Sequence, residues 1–350
     1  MEKLLSFAVP TYNMESYLEK CIRSCICENV KKIEIIVVND GSTDNSLNIA
    51  YRLREEFSDI VTVIDKKNGH YGSCVNSALA VARGKYFRML DPDDWCDTDA
   101  LNKYIESLKS MDTDLIVSVA EDWLGGKELL LRMDIPSTVV EGKVYNARTF
   151  DGIKMGAKWM YCSHVMTYKT NILRKINLTL QCGICYTDNE YVFYPLDRIN
   201  TITFLNLPIY QYYVGREGAS TSESASLKMQ KEMWQVLKPI CQYYQAHLDN
   251  NTDSVCNNQR ILIAEMAKWI LAPTFLYCHK LGKESETIMQ EVQNQIVKDE
   301  KLRVMIESYF ANAPVPLYSY YCKNGKIWNY TPYICFRLFL YKAKKVLNKL

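Results

Sequence analysis

Pro10, Thr11, Tyr12 and Asn13 follow an apolar run at residues 4–9, and Asn39, Asp40, Gly41, Ser42, Thr43 and Asp44 follow a second run at residues 33–38. A proline and an aromatic ring at the first of these turns can wall a flat heterocycle. A carboxylate at the second can accept a base N–H or a ribose hydroxyl. Further along, Asp91, Pro92, Asp93 and Asp94 follow the run at residues 86–90. Residues two apart in an extended segment face the same way, so Asp91 and Asp93 are expected on one side, with Asp94 turned toward the next helix. Hard oxygen ligands in an open cluster suit Mn2+ or Mg2+ shared with a diphosphate. Each motif alone is also an ordinary turn leading into a capped helix. What favours chemistry is the delivery of Asp40 and the acidic cluster to one crevice by neighbouring strand ends.

Such turns need a scaffold that gathers strand ends. Short β-rich runs at residues 4–9, 33–38, 60–64, 86–90 and 115–119 read as buried parallel strands. Between the first two, Met14, Tyr17, Leu18, Cys21, Ile22, Cys25 and Ile26 repeat at the spacing of one helical face. A second helix is expected behind Ser42 and Thr43 as caps, with Leu47, Ala50 and Tyr51 inward. A third carries Val75, Ala78, Leu79 and Ala82 and stops at Gly84; a fourth is capped by Asp97 and carries Leu101, Tyr104, Ile105 and Leu108. Alternating strands and helices predict an α/β fold with a doubly wound, mostly parallel sheet, whose ligands sit beyond the carboxyl ends of the strands. The first turn has no GxGxxG, which argues against a dinucleotide loop. The pattern loosens over residues 140–222 and becomes helical beyond 227.

The 350 residues suit one large α/β domain with an appended region, or two modest domains. Lys plus Arg, 42, nearly balances Asp plus Glu, 40, so charge gives no reason to expect nucleic acid as a partner. Thirteen cysteines with no secretory leader ahead of them predict reduced thiols and a cytoplasmic chain. Cys182 and Cys185 form a CxxC with no second pair at zinc spacing and read as two small half-buried side chains; His70 and His164 also read as structural. No run approaches the ~20 apolar residues that span a bilayer. Residues 332–350 are aromatic first and basic afterwards, with Arg337, Lys342, Lys344, Lys345 and Lys349. That stretch fits peripheral contact with an anionic membrane and, equally, an ordinary solvated helix.

The strings FAVPTYN, VVNDGSTDNS, NGHYGSCVNSAL and ARGKYFRMLDPDDW, in that order, resemble family 2 of the inverting glycosyltransferases, a group with the A-type glycosyltransferase fold. The resemblance runs over roughly residues 4–222 and is specific through Leu108. It implies a UDP-sugar donor, a divalent metal (Mn2+ or Mg2+) and a hydroxyl on a glycan or lipid-linked acceptor, as in bacterial surface-polysaccharide synthesis. On the matching positions it makes Pro10, Thr11 and Tyr12 the nucleotide wall and Asp40 the partner of uracil. Asp91 and Asp93 become the acids of an Asp-x-Asp motif, Asp91 near the ribose and donor sugar and Asp93 on the metal. Asn68 and Asn76 flank the donor pocket, with Val75 where the family often has Arg. The segment YTDNEYVF, residues 186–193, is similar to the family's Glu-Asp-x-x-Phe element, with Thr187 in place of the Glu and Tyr191 in place of the Phe. It implies Asp188 as general base, with Glu190 as the alternative. Residues 210–222 resemble a closing loop in which Arg216 reaches the diphosphate and Gly215 and Gly218 allow movement. An inverting transfer is one in-line displacement and requires a single base. The expected organisation is a catalytic domain at 1–222, with a nucleotide-sugar half (1–120) and an acceptor half (121–222), followed by a helical region at 223–350. Two other classes fit less of the pattern: a non-catalytic nucleotide-sugar binder, and a sugar nucleotidyltransferase, whose Gly-rich, basic first loop PTYNMES lacks.

Overall fold

Residues 4–9 and 33–38 are apolar without alternation because their strands are covered on both faces: β1 (Leu5–Thr11) and β2 (Ile33–Asp40) are buried at every position. The computed structural model describes residues 2–157, 160–216 and 227–311. The proposed membrane tail at 332–350, the domain boundary at 222 and Gly218 lie outside the described residues.

β3 (Val61–Lys66) pairs with β2, β2 with β1, and β1 with β4 (Tyr86–Met89), all parallel. The crossovers are α1 (Leu18–Ser24), α2 (Ser46–Glu56) and α3 (His70–Val81). Next come β5 (Trp95–Cys96), α4 (Thr98–Leu108), β6 (Leu115–Val117), β7 (Ala120–Leu124), β8 (Glu128–Arg132) and β9 (Val144–Asn146). They are followed by β10 (Met166–Lys169), α5 (Thr170–Lys175), α6 (Asp188–Phe193), β11 (Thr201–Phe204) and β12 (Tyr210–Val214). The main sheet runs β3-β2-β1-β4-β10-β6-β11-β9, with β10 antiparallel between β4 and β6 and β9 antiparallel at the edge. A smaller sheet runs β5-β12-β7-β8.

The helix starts show which local signals hold. Asp97 caps α4, its carboxylate accepting the Ala100 N–H at 2.7 Å. Ser42 and Thr43 do not cap α2, which begins at Ser46. They bond to the neighbouring loop instead: Asn13 N–H donates to Ser42 Oγ at 3.1 Å and Thr43 N–H donates to Asn13 Oδ1 at 2.8 Å. The same stitching delays α1 to Leu18, because Met14 N–H donates to Ser46 Oγ (2.7 Å) and Glu15 N–H to Asp44 Oδ2 (3.0 Å) rather than to a cap of their own. α3 ends at Val81, ahead of the expected stop. Gly84 instead lets the chain pass close to β1, since a Cβ there would lie 2.6 Å from Ser6 N.

The chain divides into two compact units, residues 1–218 with 247–259, and residues 219–246 with 260–350. The second unit is built on α7 (Leu227–His247), α8 (Asp253–Ile296) and α9 (Glu300–Ala311). Within it, buried Arg260 donates to Asp299 at 2.7 Å, Tyr244 OH donates to the same carboxylate, and Ser285 Oγ donates to Gln230 Oε1 at 2.7 Å. No helix among the described residues is long and apolar enough to cross a membrane.

Candidate active site

The carboxyl ends of β1, β2 and β4 lie side by side and carry the turns singled out in the sequence. At β1, Pro10 and Thr11 are buried and the Thr11 hydroxyl turns back onto Val9 O, while Tyr12 stands 47% exposed. At β2, buried Asp40 accepts from Lys66 Nζ and, at 2.9 Å, from the Gly69 N–H, both on Oδ1. Gly41, at φ +71°, brings this turn against the loop of exposed Asn68, whose backbone N would sit 3.0 Å from a Cβ.

The acidic cluster departs from the expected arrangement. Residues 91–94 form a tight turn, closed by Asp94 N–H donating to Asp91 O at 3.1 Å, rather than an extended stretch. The turn brings Asp91 and Asp94 together, while Asp93 is taken up by Arg216, whose Nε donates to Asp93 Oδ2 at 2.6 Å. Asp94 therefore does not turn toward the next helix. His164 completes the group: one ligand atom each from Asp91, Asp94 and His164 lie within 4.8 Å of one another, with His164 Nε2 3.5 Å from Asp91 Oδ2. The expected structural role of His164 gives way to a place in this cluster. Its ring stacks on Tyr210 (4.6 Å, 10°) and Tyr212 (5.0 Å, 27°). Burial and the neighbouring Asp91 charge raise the Asp94 carboxyl above its ordinary range, and burial and Asp91 do the same for Asp93 against the pull of Arg216. Burial works against charge on His164, yet Cys162 and Asp91 beside the ring hold the imidazole well above its usual value. Two carboxylates and an imidazole gathered this closely make a donor set that fits a hard divalent ion such as Mn2+ or Mg2+.

Asp188 opens α6 after Tyr186, a non-glycine residue at φ +65°. Asn13 (φ +52°) and His70 (φ +63°) adopt the same uncommon conformation on the other loops feeding this edge. The Asp188 carboxylate is half-buried and receives one long side-chain hydrogen bond, from Asn189 Nδ2 at 3.4 Å. Burial first, then the charge of Asp91, push it up to about 6, against the pull of His164. Glu190 is a poor alternative: it is buried, and its two oxygens accept the Gln181 N–H (2.7 Å) and Gln181 Nε2 (2.9 Å). Asn76 is engaged within the protein. Its Nδ2 donates to Leu180 O (2.8 Å) and its Oδ1 accepts from Leu180 N–H (2.9 Å), so it ties α3 to the segment leading to Asp188. Gly72 on the same helix lets that segment approach, since a Cβ would lie 2.1 Å from Gln181 O. Cys185 faces His70 Nδ1 at 3.9 Å, and Cys182 is exposed rather than half-buried.

Residues missed in the sequence complete the surroundings. Tyr71 OH donates to Asp91 Oδ1 at 2.8 Å. Tyr210 OH donates to Asp94 Oδ2 at 2.5 Å and Tyr213 N–H to Asp94 Oδ1 at 2.7 Å. Arg88, fully buried, donates to Ser118 Oγ and Thr167 Oγ1, each at 3.0 Å, and to His164 O. An arginine inside the apolar run YFRML is a visible signal, because a buried guanidinium requires a reason.

Comparison with known proteins agrees with this geometry. The sequence profile described as Glycosyl transferase family 2 matches residues 6–176. The glycosyltransferase GlyA of Streptococcus pneumoniae serotype 4 is 39% identical over 107 residues, 30% of this chain and 14% of that protein. A chondroitin synthase of Pasteurella multocida is 36% identical over 98 residues, 28% of this chain and 10% of that protein, so the chain spans only a small part of the length of these relatives. Among solved structures, residues 1–349 of S. aureus TarS in complex with UDP-GlcNAc superpose with a TM-score of 0.66 over 91% of this chain and 87% of that one. At 18% identity that likeness is one of fold. Residues 6–176, just under half of the chain, carry the match to glycosyl transferase family 2, and the strand-end turns described above fall within that stretch.

Proposed function

We propose that this chain is an inverting, metal-dependent glycosyltransferase that moves a sugar from a UDP-sugar to a hydroxyl of a glycan or lipid-linked acceptor at the cytoplasmic face, in surface-polysaccharide or glycolipid synthesis. The observation that carries the reading is Asp188, a half-buried carboxylate raised to about 6 by burial and by the charge of Asp91, a member of the Asp91, Asp94 and His164 cluster. Such a carboxylate is ionised at neutral pH yet more basic than an ordinary aspartate, which suits removal of an acceptor proton.

In this reading Tyr12 and the buried Pro10 and Thr11 border the uracil, Asp40 accepts from the base, and Asn68 lines the donor side. Asp91, Asp94 and His164 would hold a divalent ion, whose charge would offset that of the diphosphate. Arg216, now paired with Asp93, would bind phosphate, because a diphosphate offers its guanidinium more charge than one carboxylate does. Asp188 takes the proton from the acceptor hydroxyl, the oxygen attacks the anomeric carbon, and the bond to the diphosphate breaks with its electron pair leaving on UDP. A single displacement inverts the anomeric centre and requires no protein nucleophile. Residues 1–222 form the catalytic part, with the donor held by 1–120 and the acceptor by 121–222.

The test is UDP release from a panel of UDP-sugars, UDP-GlcNAc first, with Mn2+ and with or without chelator. UDP formed from one sugar and abolished by chelation is the expected result. Pyrophosphate as the product would assign a nucleotidyltransferase instead, and donor binding with no turnover in the presence of glycan and lipid-linked acceptors would assign a binder.

A further inference from the structure

The members of the Asp91, Asp94 and His164 cluster are gripped by neighbouring elements, Asp91 by α3, Asp94 by β12 and His164 by β12 and β4. Asp91 Oδ1 accepts from Tyr71 OH, at the first turn of α3, at 2.8 Å; this leaves Oδ2 toward His164. Asp94 accepts from Tyr210 OH and Tyr213 N–H on β12. The His164 ring lies on Tyr210 and Tyr212, while its carbonyl accepts from Arg88 on β4. The Arg88 guanidinium is 0% exposed and sits 5.8 Å from the Tyr210 ring; among the described residues it makes no ion pair, and its Nε has no hydrogen-bond partner. Burying a guanidinium without a carboxylate is costly, and one whose donors reach Ser118, Thr167 and the His164 carbonyl ties the ends of β4, β6 and β10 to the cluster. Tyr71 is the cleaner case. Its hydroxyl is buried against Asp91 and Met89, so it fixes which carboxylate oxygen points outward.

We infer that Tyr71 and Arg88 are positioning residues for the divalent ion: Tyr71 sets the rotation of the Asp91 carboxylate, and Arg88 sets the backbone from which the His164 imidazole projects. This rests on the metal reading of the cluster given above. Neither residue touches the ion; each removes freedom from a ligand, and partners of this kind are worth about 10- to 100-fold in metal affinity.

The experiment is Mn2+ affinity, read from the electron paramagnetic resonance signal of free Mn2+, for the full chain with saturating UDP. Wild type is compared with Tyr71→Phe, Arg88→Met and Arg88→Lys, with melting temperature as the folding control and UDP affinity in chelator as the second readout. Tyr71→Phe keeps the ring and the fold and is expected to weaken Mn2+ about tenfold while UDP affinity in chelator stays unchanged. Arg88→Lys, which retains a donor for the His164 carbonyl, is expected to bind Mn2+ more tightly than Arg88→Met. Unchanged Mn2+ affinity in folded Tyr71→Phe overturns the inference even if Arg88→Met does not fold. Loss of UDP and Mn2+ affinity together, in step with the melting temperature, overturns it too, since that is the mark of a role in folding alone. If wild type itself takes up no Mn2+ with UDP present, the metal reading falls and this inference with it.

Discussion

Asp188→Asn is predicted to make the ligand-free protein more stable near neutral pH while abolishing transfer. The carboxyl stands at about 6 in place of 3.8, chiefly because burial and the Asp91 charge disfavour its ionised form. At about 1.4 kcal/mol per pKa unit, the full difference is about 3 kcal/mol. Solvent reaches this half-buried group, so about 1 to 2 kcal/mol is the figure to expect in the folded chain. The sign follows from proton counting. Between about pH 4 and 6 the native carboxyl holds a proton that the unfolded one has lost, so this group's contribution to stability falls as pH rises through that window and is gone above it. Asparagine carries no charge to bury and should recover the deficit near neutral pH, but gain almost nothing at about pH 4, where the native carboxyl is already protonated. Urea unfolding of both proteins at the two pH values reads the effect as a shift in midpoint. Mn2+ with UDP should shrink the gain, because a cation at Asp91 and Asp94 offsets the repulsion that Asp188 feels. Wild-type turnover should in turn decline below about pH 6 as the base is protonated. A variant no more stable than wild type near neutral pH, or equally stabilised at both values, refutes the account of Asp188 as a charge held at a cost beside the cluster.

Asn76→Ala should leave donor affinity unchanged and lower stability by about 1 to 3 kcal/mol, because it strips two buried backbone groups of Leu180 of their partners; calorimetry with UDP and thermal unfolding on one sample separate the two roles. Asp97→Ala should cost about 1 kcal/mol by removing the acceptor for Ala100 N–H, visible in the urea midpoint with UDP release unaltered.

The strands and the alternating crossovers were legible because burial on both faces forces an apolar run, and nothing else in a chain of this composition reads the same way. β10 was not, since its four residues MTYK carry too little pattern to stand out and its antiparallel place between β4 and β6 is set by partners distant in sequence. The site divides along the same line. Asp40 and the Asp91 to Asp94 string are visible because both follow apolar runs directly, yet spacing alone gives the string the geometry of an extended chain. One hydrogen bond, from Asp94 N–H to Asp91 O, makes it a turn, and that turn exchanges the places of Asp93 and Asp94. His164 had no local signal at all. A single histidine between Ser163 and Val165 becomes a ligand candidate only when β12 lays two tyrosine rings against it and a buried arginine holds its carbonyl. Sequence spacing reports what a residue can do within reach of its own backbone. Chemistry shared among α3, β4 and β12 depends on register, and in this sheet the register is decided by burial, far from the residues that use it.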